Sequence, residues 1–303
     1  MIKSLIKTMK CNSQCAFAFA LVLSAALYCA VSADDSFSVK KPPGFQLAPE
    51  FHFNEDLHTF FLQKDTVFRN RYFVEWISGA ELAFFSVNNR FFFFGEMAMT
   101  MGLGRWATKA ILFDPRLIDA GFGPMVEYRF APVNIALGLD HHCFHEIDTL
   151  DMIPVYWNRL YFSAASPNFR AGPYRSALAE PVPLTWKNRL AWQATLGYYF
   201  HELFGMDTSI ISWYNDRALD IIAEAQCAVY RWRGFTGVLS AKTSVYLTRT
   251  QGVWWKQEAG AEIMATQGRF GLSLFADWVI VDDQRQERLN RDKLLLVGIK
   301  GFL

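Results

Sequence analysis

The feature that most constrains this chain is a two-residue alternation of apolar and polar side chains over residues 254–280. Successive residues of a β-strand point to opposite faces, and a two-residue turn that contains Gly is typical of a β-hairpin. A turn at Gln267-Gly268 pairs the strands outward and sets Ile263 opposite Leu272. The hairpin then has one broad apolar face and one face with full charges.

Two folds suit such a hairpin. A soluble β-sandwich buries the apolar face and exposes the charged one, whereas a membrane barrel turns its apolar face to lipid and its polar face to the lumen. The chain is 52% hydrophobic and 16% aromatic, and many Trp and Tyr residues stand near predicted strand ends, where interfacial girdles are expected. We therefore predict the membrane barrel.

The N-terminus has the pattern of an export signal. A basic segment with Lys3, Lys7 and Lys10 precedes an apolar run over 16–30, and small residues at 31–33 suit cleavage. We predict a signal peptide over 1–33, a periplasmic lead-in over 34–55 and the barrel over 56–303. An uncleaved membrane anchor stays open as an alternative, because the apolar run approaches spanning length.

About eleven alternating strands follow, joined by turns of contrasting length. Short turns occur at Asn88-Asn89, 131–132, 233–234 and Gln267-Gly268, and longer connections separate most of the hairpins. Bacterial barrels have short periplasmic turns, longer external loops and an even number of strands. Parity therefore predicts a twelfth strand near His58–Gln63, and the predicted fold is one all-β domain, an antiparallel transmembrane barrel of about twelve strands.

The last strand, Lys293–Leu303, resembles the terminal strand of bacterial outer-membrane proteins. Alternate positions are apolar, and the aromatic Phe302 is penultimate where that family usually places it last. The resemblance implies insertion by the barrel-assembly machinery through this strand, with outer-membrane lipid as the surrounding partner. Cys143 and Cys227, on non-adjacent strands, are predicted to be free thiols.

Strand parity places a large polar set on the inner face. It comprises Glu75, Glu81, Glu96, Glu127, Arg129, Asp140, His142, His201, Glu224, Lys242, Lys256, Glu258, Glu262, Asp277 and Lys300. A charge facing lipid at the midplane would cost about 2–4 kcal/mol, so the lumen is the expected place for these side chains.

Cross-strand pairing refines this set. A three-residue turn centred on Arg233 sets Glu224 opposite Lys242, which predicts an ion pair. The turn at Asn88-Asn89 sets Glu81 opposite Glu96. The turn at Gln267-Gly268 sets Glu258 opposite Asp277. Directly opposed like charges are destabilising. Three interpretations stay open for them: a structural charge network, a cation-attracting constriction and a catalytic carboxylate pair.

The segment Asp140–Asp148 is the densest chemical cluster. It resembles an uncharacterised family of outer-membrane barrel proteins with a His-x-Ser-Ser-His-x-Gly-Asp strand motif, in which His141, His145 and Asp148 match and Cys143 replaces the first Ser. The resemblance implies no known activity.

Metal binding and catalysis are poorly supported there. His141 and His145 would lie about 13 Å apart on an extended strand, so with Asp148 they are weak metal candidates, and we predict no metal site. No Ser stands nearby for a Ser/His hydrolase, and the outward position of Cys143 predicts an inert thiol.

The leading functional prediction is a small, porin-like channel for polar solutes in the bacterial outer membrane. Twelve strands enclose a lumen wider than that of an eight-stranded barrel and narrower than that of a general porin. The alternatives are an outer-membrane enzyme that uses His142, His201 or the cluster near His145 at the rim, and a plugged barrel that serves as an anchor or adhesin. We predict no cofactor, and the absence of a basic face excludes nucleic acid as a partner.

Overall fold

The structure is a computed structural model. It describes residues 44–62, 72–104, 114–130, 133–147, 155–167, 169, 189–200, 202–203, 206–207, 217–232, 235–250, 252–267, 270–284 and 290–302. Among these described residues, no helix is both long and apolar enough to span a membrane. The predicted signal peptide, His201, Asp148 and nearly all of the segment 167–187 lie outside the described residues.

The described chain is built from β-strands. They are β1 Phe45–Leu47, β2 Phe51–Leu62, β3 Val74–Val87, β4 Phe91–Gly104, β5 Asp114–Arg129, β6 Asn134–Glu146, β7 Val155–Ala165, β8 Leu190–Phe200, β9 Glu202–Leu203, β10 Met206–Asp207, β11 Arg217–Trp232, β12 Phe235–Thr248, β13 Val253–Gln267, β14 Phe270–Asp282 and β15 Leu294–Phe302.

Twelve of these strands close into an antiparallel barrel. The order runs β3-β2-β15-β14-β13-β12-β11-β8-β7-β6-β5-β4, and the pairing of β4 with β3 closes the ring. β1 also pairs with β3, in line with β2, so β1 and β2 form one interrupted strand. Within the described part of the chain, β9 and β10 pair with each other and with no other strand. Closure removes the sheet edges, which is how a β-structure satisfies its backbone groups in lipid.

The two faces of the wall differ as the alternation predicts. Large apolar side chains are exposed on the outside, with Leu274 at 67% and Ile263 at 63%. Inside the barrel, one cluster of buried residues contains Phe60, Trp157 and Phe275, and a second contains Phe92. The outside is therefore the apolar surface, and the inside combines packed aromatic rings with charges.

The predicted twelfth strand is present and begins earlier than its sequence pattern indicates. β2 starts at Phe51, upstream of the predicted boundary at residue 56. The turn after β3 is confirmed as tight, because Asn88 and Asn89 both have φ of 53°. Asn tolerates this left-handed conformation better than most residues.

The predicted register of the β13–β14 hairpin is wrong by two residues. Gln267 pairs with Phe270, so Ile263 lies opposite Leu274 instead of Leu272, and Glu262 lies opposite Phe275. A shift of two residues keeps every side chain on its predicted face, because the strand period is two.

Candidate functional site

The inner wall at the short-turn end is crossed by an arginine bridge. Arg129 donates to both oxygens of Glu50, at 2.8 and 2.7 Å, and to Glu127 at 2.6 Å. Its guanidinium also lies 3.7 Å from the ring centre of Phe92. Glu50 lies at the break between β1 and β2. The residue at the interruption of that strand therefore binds Arg129 inside the barrel.

The Glu50 carboxyl is held in its charged form. Burial alone would raise its pKa, but the hydrogen bonds and charges of His52 and Arg129 lower it well below its usual range. A carboxyl whose pKa is lowered by folding stabilises the native state above its unfolded pKa. This contribution is present at neutral pH and is lost as the pH falls below about 4.

We therefore expect Glu50→Gln to lower the free energy of unfolding by about 1–2 kcal/mol at pH 7 and to reduce the loss of stability between pH 7 and pH 3. Urea unfolding of the detergent-solubilised protein at both pH values measures this. Glu262→Gln, which removes a carboxylate from the inner wall of β13, is the control and should lower the free energy of unfolding at pH 7 less than Glu50→Gln does. Equal acid dependence in Glu50→Gln and the wild type would contradict the assignment.

Further up the wall, each described lysine of the predicted inward set lies beside a carboxylate. Lys256 donates to Glu258 at 2.7 Å, and Lys300 donates to Asp277 at 3.2 Å. Lys300 also lies 3.8 Å from the ring centre of Phe275. These contacts neutralise charge locally within the lumen.

Of the predicted opposed pairs, two are present and one is wrong. Lys242 lies directly opposite Glu224, and Glu81 lies opposite Glu96. The Lys242 register arises with Trp232 paired to Phe235 and an irregularity between Ala228 and Tyr230, whereas the predicted turn centred on Arg233 would pair residue 231 with Phe235.

The third pair is displaced by the register shift of its hairpin. Glu258 lies opposite Val279, and Asp277 lies opposite Gly260. The like charges at Glu81 and Glu96 do remain opposed, and Glu96 accepts a hydrogen bond from Tyr161 at 2.6 Å.

Arg159 is the hub of a second network. It donates to both oxygens of Asp220, at 2.7 and 2.9 Å, and to Asp140 at 3.3 Å. The Tyr199 hydroxyl also donates to Asp220, at 2.7 Å. Asp220 is 1% exposed, so its charge depends on these donors. Sequence analysis placed Asp140 inside but missed Arg159, because the two residues meet only through strand pairing.

At the long-loop end, the connection between β14 and β15 sends Arg291 into the lumen. Arg291 donates to Glu75 at 2.6 Å, and Glu75 is fully buried. His58 lies 3.1 Å from the other Glu75 oxygen, and its second ring nitrogen lies 2.7 Å from Asp56. Burial alone would lower the pKa of Arg291, but the carboxylates of Glu75, Glu258 and Asp282 raise it, so the side chain enters the lumen as a cation.

The same connection is braced by its own hydrogen bonds. The Asp282 carboxylate accepts from the backbone N–H of Arg291 at 2.9 Å and of Gln284 at 3.2 Å. The Asn290 amide donates to the carbonyls of Asp282 and Gln284, both at 2.7 Å. Arg291 is therefore presented by an ordered base.

The histidine segment is divided between the two faces of the wall. His142 points inward, 3.2 Å from Asp119 and stacked on Trp157 at 5.1 Å between ring centres. His141 and His145 lie on the opposite face. No group of three or more His, Cys, Asp and Glu side chains among the described residues is arranged to hold a metal ion. Cys143 and Cys227 are free.

A closed barrel with an apolar outside and a charged inside is the architecture of proteins that span the bacterial outer membrane with β-strands. The chain is such an outer-membrane β-barrel.

Several solved outer-membrane barrels are similar in structure. An outer membrane channel from Pseudomonas putida F1 has 9% identity and a TM-score of 0.48, with 89% of this chain and 98% of that chain covered. Outer membrane phospholipase A from Escherichia coli has 12% identity and a TM-score of 0.47, with coverage of 84% and 93%. LpxR from Salmonella typhimurium has 10% identity and a TM-score of 0.43, with coverage of 83% and 99%.

No family model matches the chain, and no curated protein matches its sequence. The solved barrels are 9–12% identical to this chain, and their activities are not assigned to it.

Proposed function

We propose that the protein is a small channel for polar solutes whose lumen is closed at the long-loop end by Arg291, near the start of β15. The observation that carries this proposal is the contact between Arg291, which comes from the β14–β15 connection, and Glu75, which is buried on the inner wall of β3. We name this contact the latch.

The charges of the inner wall support a path for polar solutes. They recur from Arg129 near the short-turn end, through Lys300 and Lys256, to Arg291 at the long-loop end. Charged side chains that line a pore attract solutes and set ion preference. The apolar clusters around Phe60 and Phe92 narrow the same path, which agrees with a closed conformation.

The braced connection supports a gate in place of a fixed plug. The Asp282 and Asn290 hydrogen bonds join Gln284, Asn290 and Arg291 to the end of β14, so these contacts can persist once the latch is broken. Opening would leave Glu75 with His58 as a remaining partner, 3.1 Å away. A remaining partner for the buried carboxylate limits the energy that opening requires, because an unpaired buried charge is costly.

Planar-bilayer conductance tests the proposal. Arg291→Gln removes the latch charge and is expected to raise the open probability about tenfold or more, since about 1.4 kcal/mol is a factor of ten. Lys293→Gln is the matched control, because it removes one positive charge from the same connection, where Lys293 is exposed and lies 3.6 Å from Asp292. It should conduct like the wild type.

Ion preference gives a second readout. In the Arg291→Gln background under a salt gradient, we expect cation preference, and Glu258→Gln should reduce it. Each protein is first checked for heat-modifiable migration, which reports a folded barrel. Absence of stepwise current from folded Arg291→Gln would refute the channel, and equal currents from Arg291→Gln and Lys293→Gln would refute the latch.

A further inference from the structure

The outer wall carries a polar cluster in the half nearer the long-loop end. His141, Cys143 and His145 project from β6 on the side that faces away from the lumen, and Tyr156 and Asn158 project from β7 beside them. We name these five side chains the wall cluster. Exposed apolar residues of the same face surround it, with Phe122 on β5 and Leu160 on β7.

Such a cluster is unusual on a surface that faces lipid. A polar group moved into an apolar environment is costly unless it is hydrogen-bonded, and in hydrocarbon no water supplies the bond. The members of the wall cluster supply bonds to one another. Nδ1 of His141 donates to Oδ1 of Asn158 at 2.8 Å, and Asn158 is 1% exposed.

The centre of the wall cluster is a thiol beside an imidazole. The Cys143 sulfur is hydrogen-bonded to Nε2 of His145, and Tyr156 lies directly opposite Cys143 on β7. The Tyr156 ring meets His145 edge-on at 6.3 Å and stacks on His141 at 6.1 Å between ring centres. A nucleophile within hydrogen-bond reach of a base that neighbouring groups orient is the arrangement used in covalent catalysis.

We propose that the wall cluster is an acyl-transfer site that cleaves carboxylic esters of membrane lipids, with Cys143 as the nucleophile and His145 as its base. The substrate class follows from position, because the cluster opens to the bilayer, where ester groups of lipids are the available electrophiles. This inference does not depend on whether the lumen conducts.

The reaction balances with water as the only co-reactant. His145 takes the thiol proton as the Cys143 sulfur attacks the ester carbonyl, and the Tyr156 hydroxyl is the nearby donor for the developing oxyanion. The C–O bond then breaks, the alcohol leaves with the proton from His145, and a thioester remains on Cys143. Water, deprotonated by His145, cleaves the thioester, releases the fatty acid and restores the thiol.

The structure also supplies a matched control. Cys227 is a second free cysteine, and it pairs with the outward-facing Leu239 on β12, so it also projects from the outer wall. No histidine contact is recorded for Cys227 among the described residues. Both thiols therefore meet lipid, and they differ in the imidazole beside Cys143.

The test measures fatty-acid release by the purified protein in mixed micelles with phosphatidylethanolamine in one arm and purified lipopolysaccharide in the other. Release is expected in at least one arm, which identifies the lipid. Cys143→Ala should abolish it, and His145→Ala should lower it about 10²–10⁴-fold, the range for loss of a general base. Cys227→Ala should leave it unchanged.

Intact-protein mass spectrometry makes the test independent of turnover. An acyl adduct on Cys143, absent from Cys143→Ala and present in Cys227→Ala, is the expected result, and heat-modifiable migration shows that each variant is folded. Cys143→Ser keeps the shape of the site if the alanine variant fails to fold. No fatty acid and no adduct from folded wild type, or release that survives Cys143→Ala, would overturn the proposal.

Discussion

Asp220→Asn is expected to lower the free energy of unfolding by about 3–5 kcal/mol, the range for removing one partner of a buried ion pair. The Asp220 carboxylate receives two hydrogen bonds from Arg159 and one from Tyr199, and it is 1% exposed. The neutral amide cannot balance the guanidinium, and its NH₂ group would face a donor. Urea unfolding in detergent micelles, followed by tryptophan fluorescence, measures the change.

Asp119→Asn is the control for this prediction. Asp119 is also a carboxylate on the inner wall, but its side chain is 29% exposed and its ion-pair partner is His142 at 3.2 Å. We expect a loss of about 0–1 kcal/mol, as for exposed pairs. Arg159→Met combined with Asp220→Leu should recover part of the loss of Asp220→Asn, because the guanidinium is removed together with the carboxylate that balances it. The recovery is partial, because Asp140 and Tyr199 each lose a hydrogen-bond partner in the double variant. Equal losses in Asp119→Asn and Asp220→Asn would contradict the assigned hub.

Gly123→Ala is the second change with a large expected effect. A Cβ at this position would overlap the main-chain carbonyl oxygen of Leu139 on β6, and backbone cannot yield as a flexible side chain can. Pairing of β5 with β6 is already interrupted between Phe122–His141 and Met125–Gly138. We expect a loss at or above the upper end of the range of about 1–3 kcal/mol for overpacking.

The matched control is Gly301→Ala on β15, where an added Cβ meets nothing within 4 Å. Its stability should be unchanged or raised by up to about 1 kcal/mol, because alanine restricts the unfolded chain. Urea unfolding and heat-modifiable migration of both variants are measured together. A Gly123→Ala barrel as stable as the Gly301→Ala barrel would show that β5 and β6 separate freely at this point.

Sequence reasoning succeeded where a property depends on strand period alone. The polar–apolar alternation of residues 254–280 predicted both strands of the β13–β14 hairpin, and the loop parity predicted the strand now seen as β2. It failed where the exact turn mattered. The pairing of Gln267 with Phe270 shifted the partners of Glu258 and Asp277 by two residues, and alternation cannot detect such a shift, because it leaves the faces unchanged.

Tyr156 and Asn158 are the members of the wall cluster that the sequence did not predict. The His141–Asp148 motif named the histidines and Cys143, but neither Tyr156 nor Asn158 belongs to that motif. They join it because β6 pairs with β7 and sets Cys143 opposite Tyr156 and His141 opposite Asn158. On β6, His142 lies on the inner face, whereas its neighbours His141 and Cys143 lie on the outer face.

The sequence by itself determined the all-β class and a barrel of about twelve strands, and it predicted which side chains of each strand share a face, because the strand period of two and the spacing of turns are local properties. Only the tertiary structure decided which charges meet. Arg291 and Glu75 are joined from the β14–β15 connection and β3, and Arg129 meets Glu50 across 79 positions of the chain. Such contacts follow from closure of the barrel and from register, and both depend on all twelve strands together.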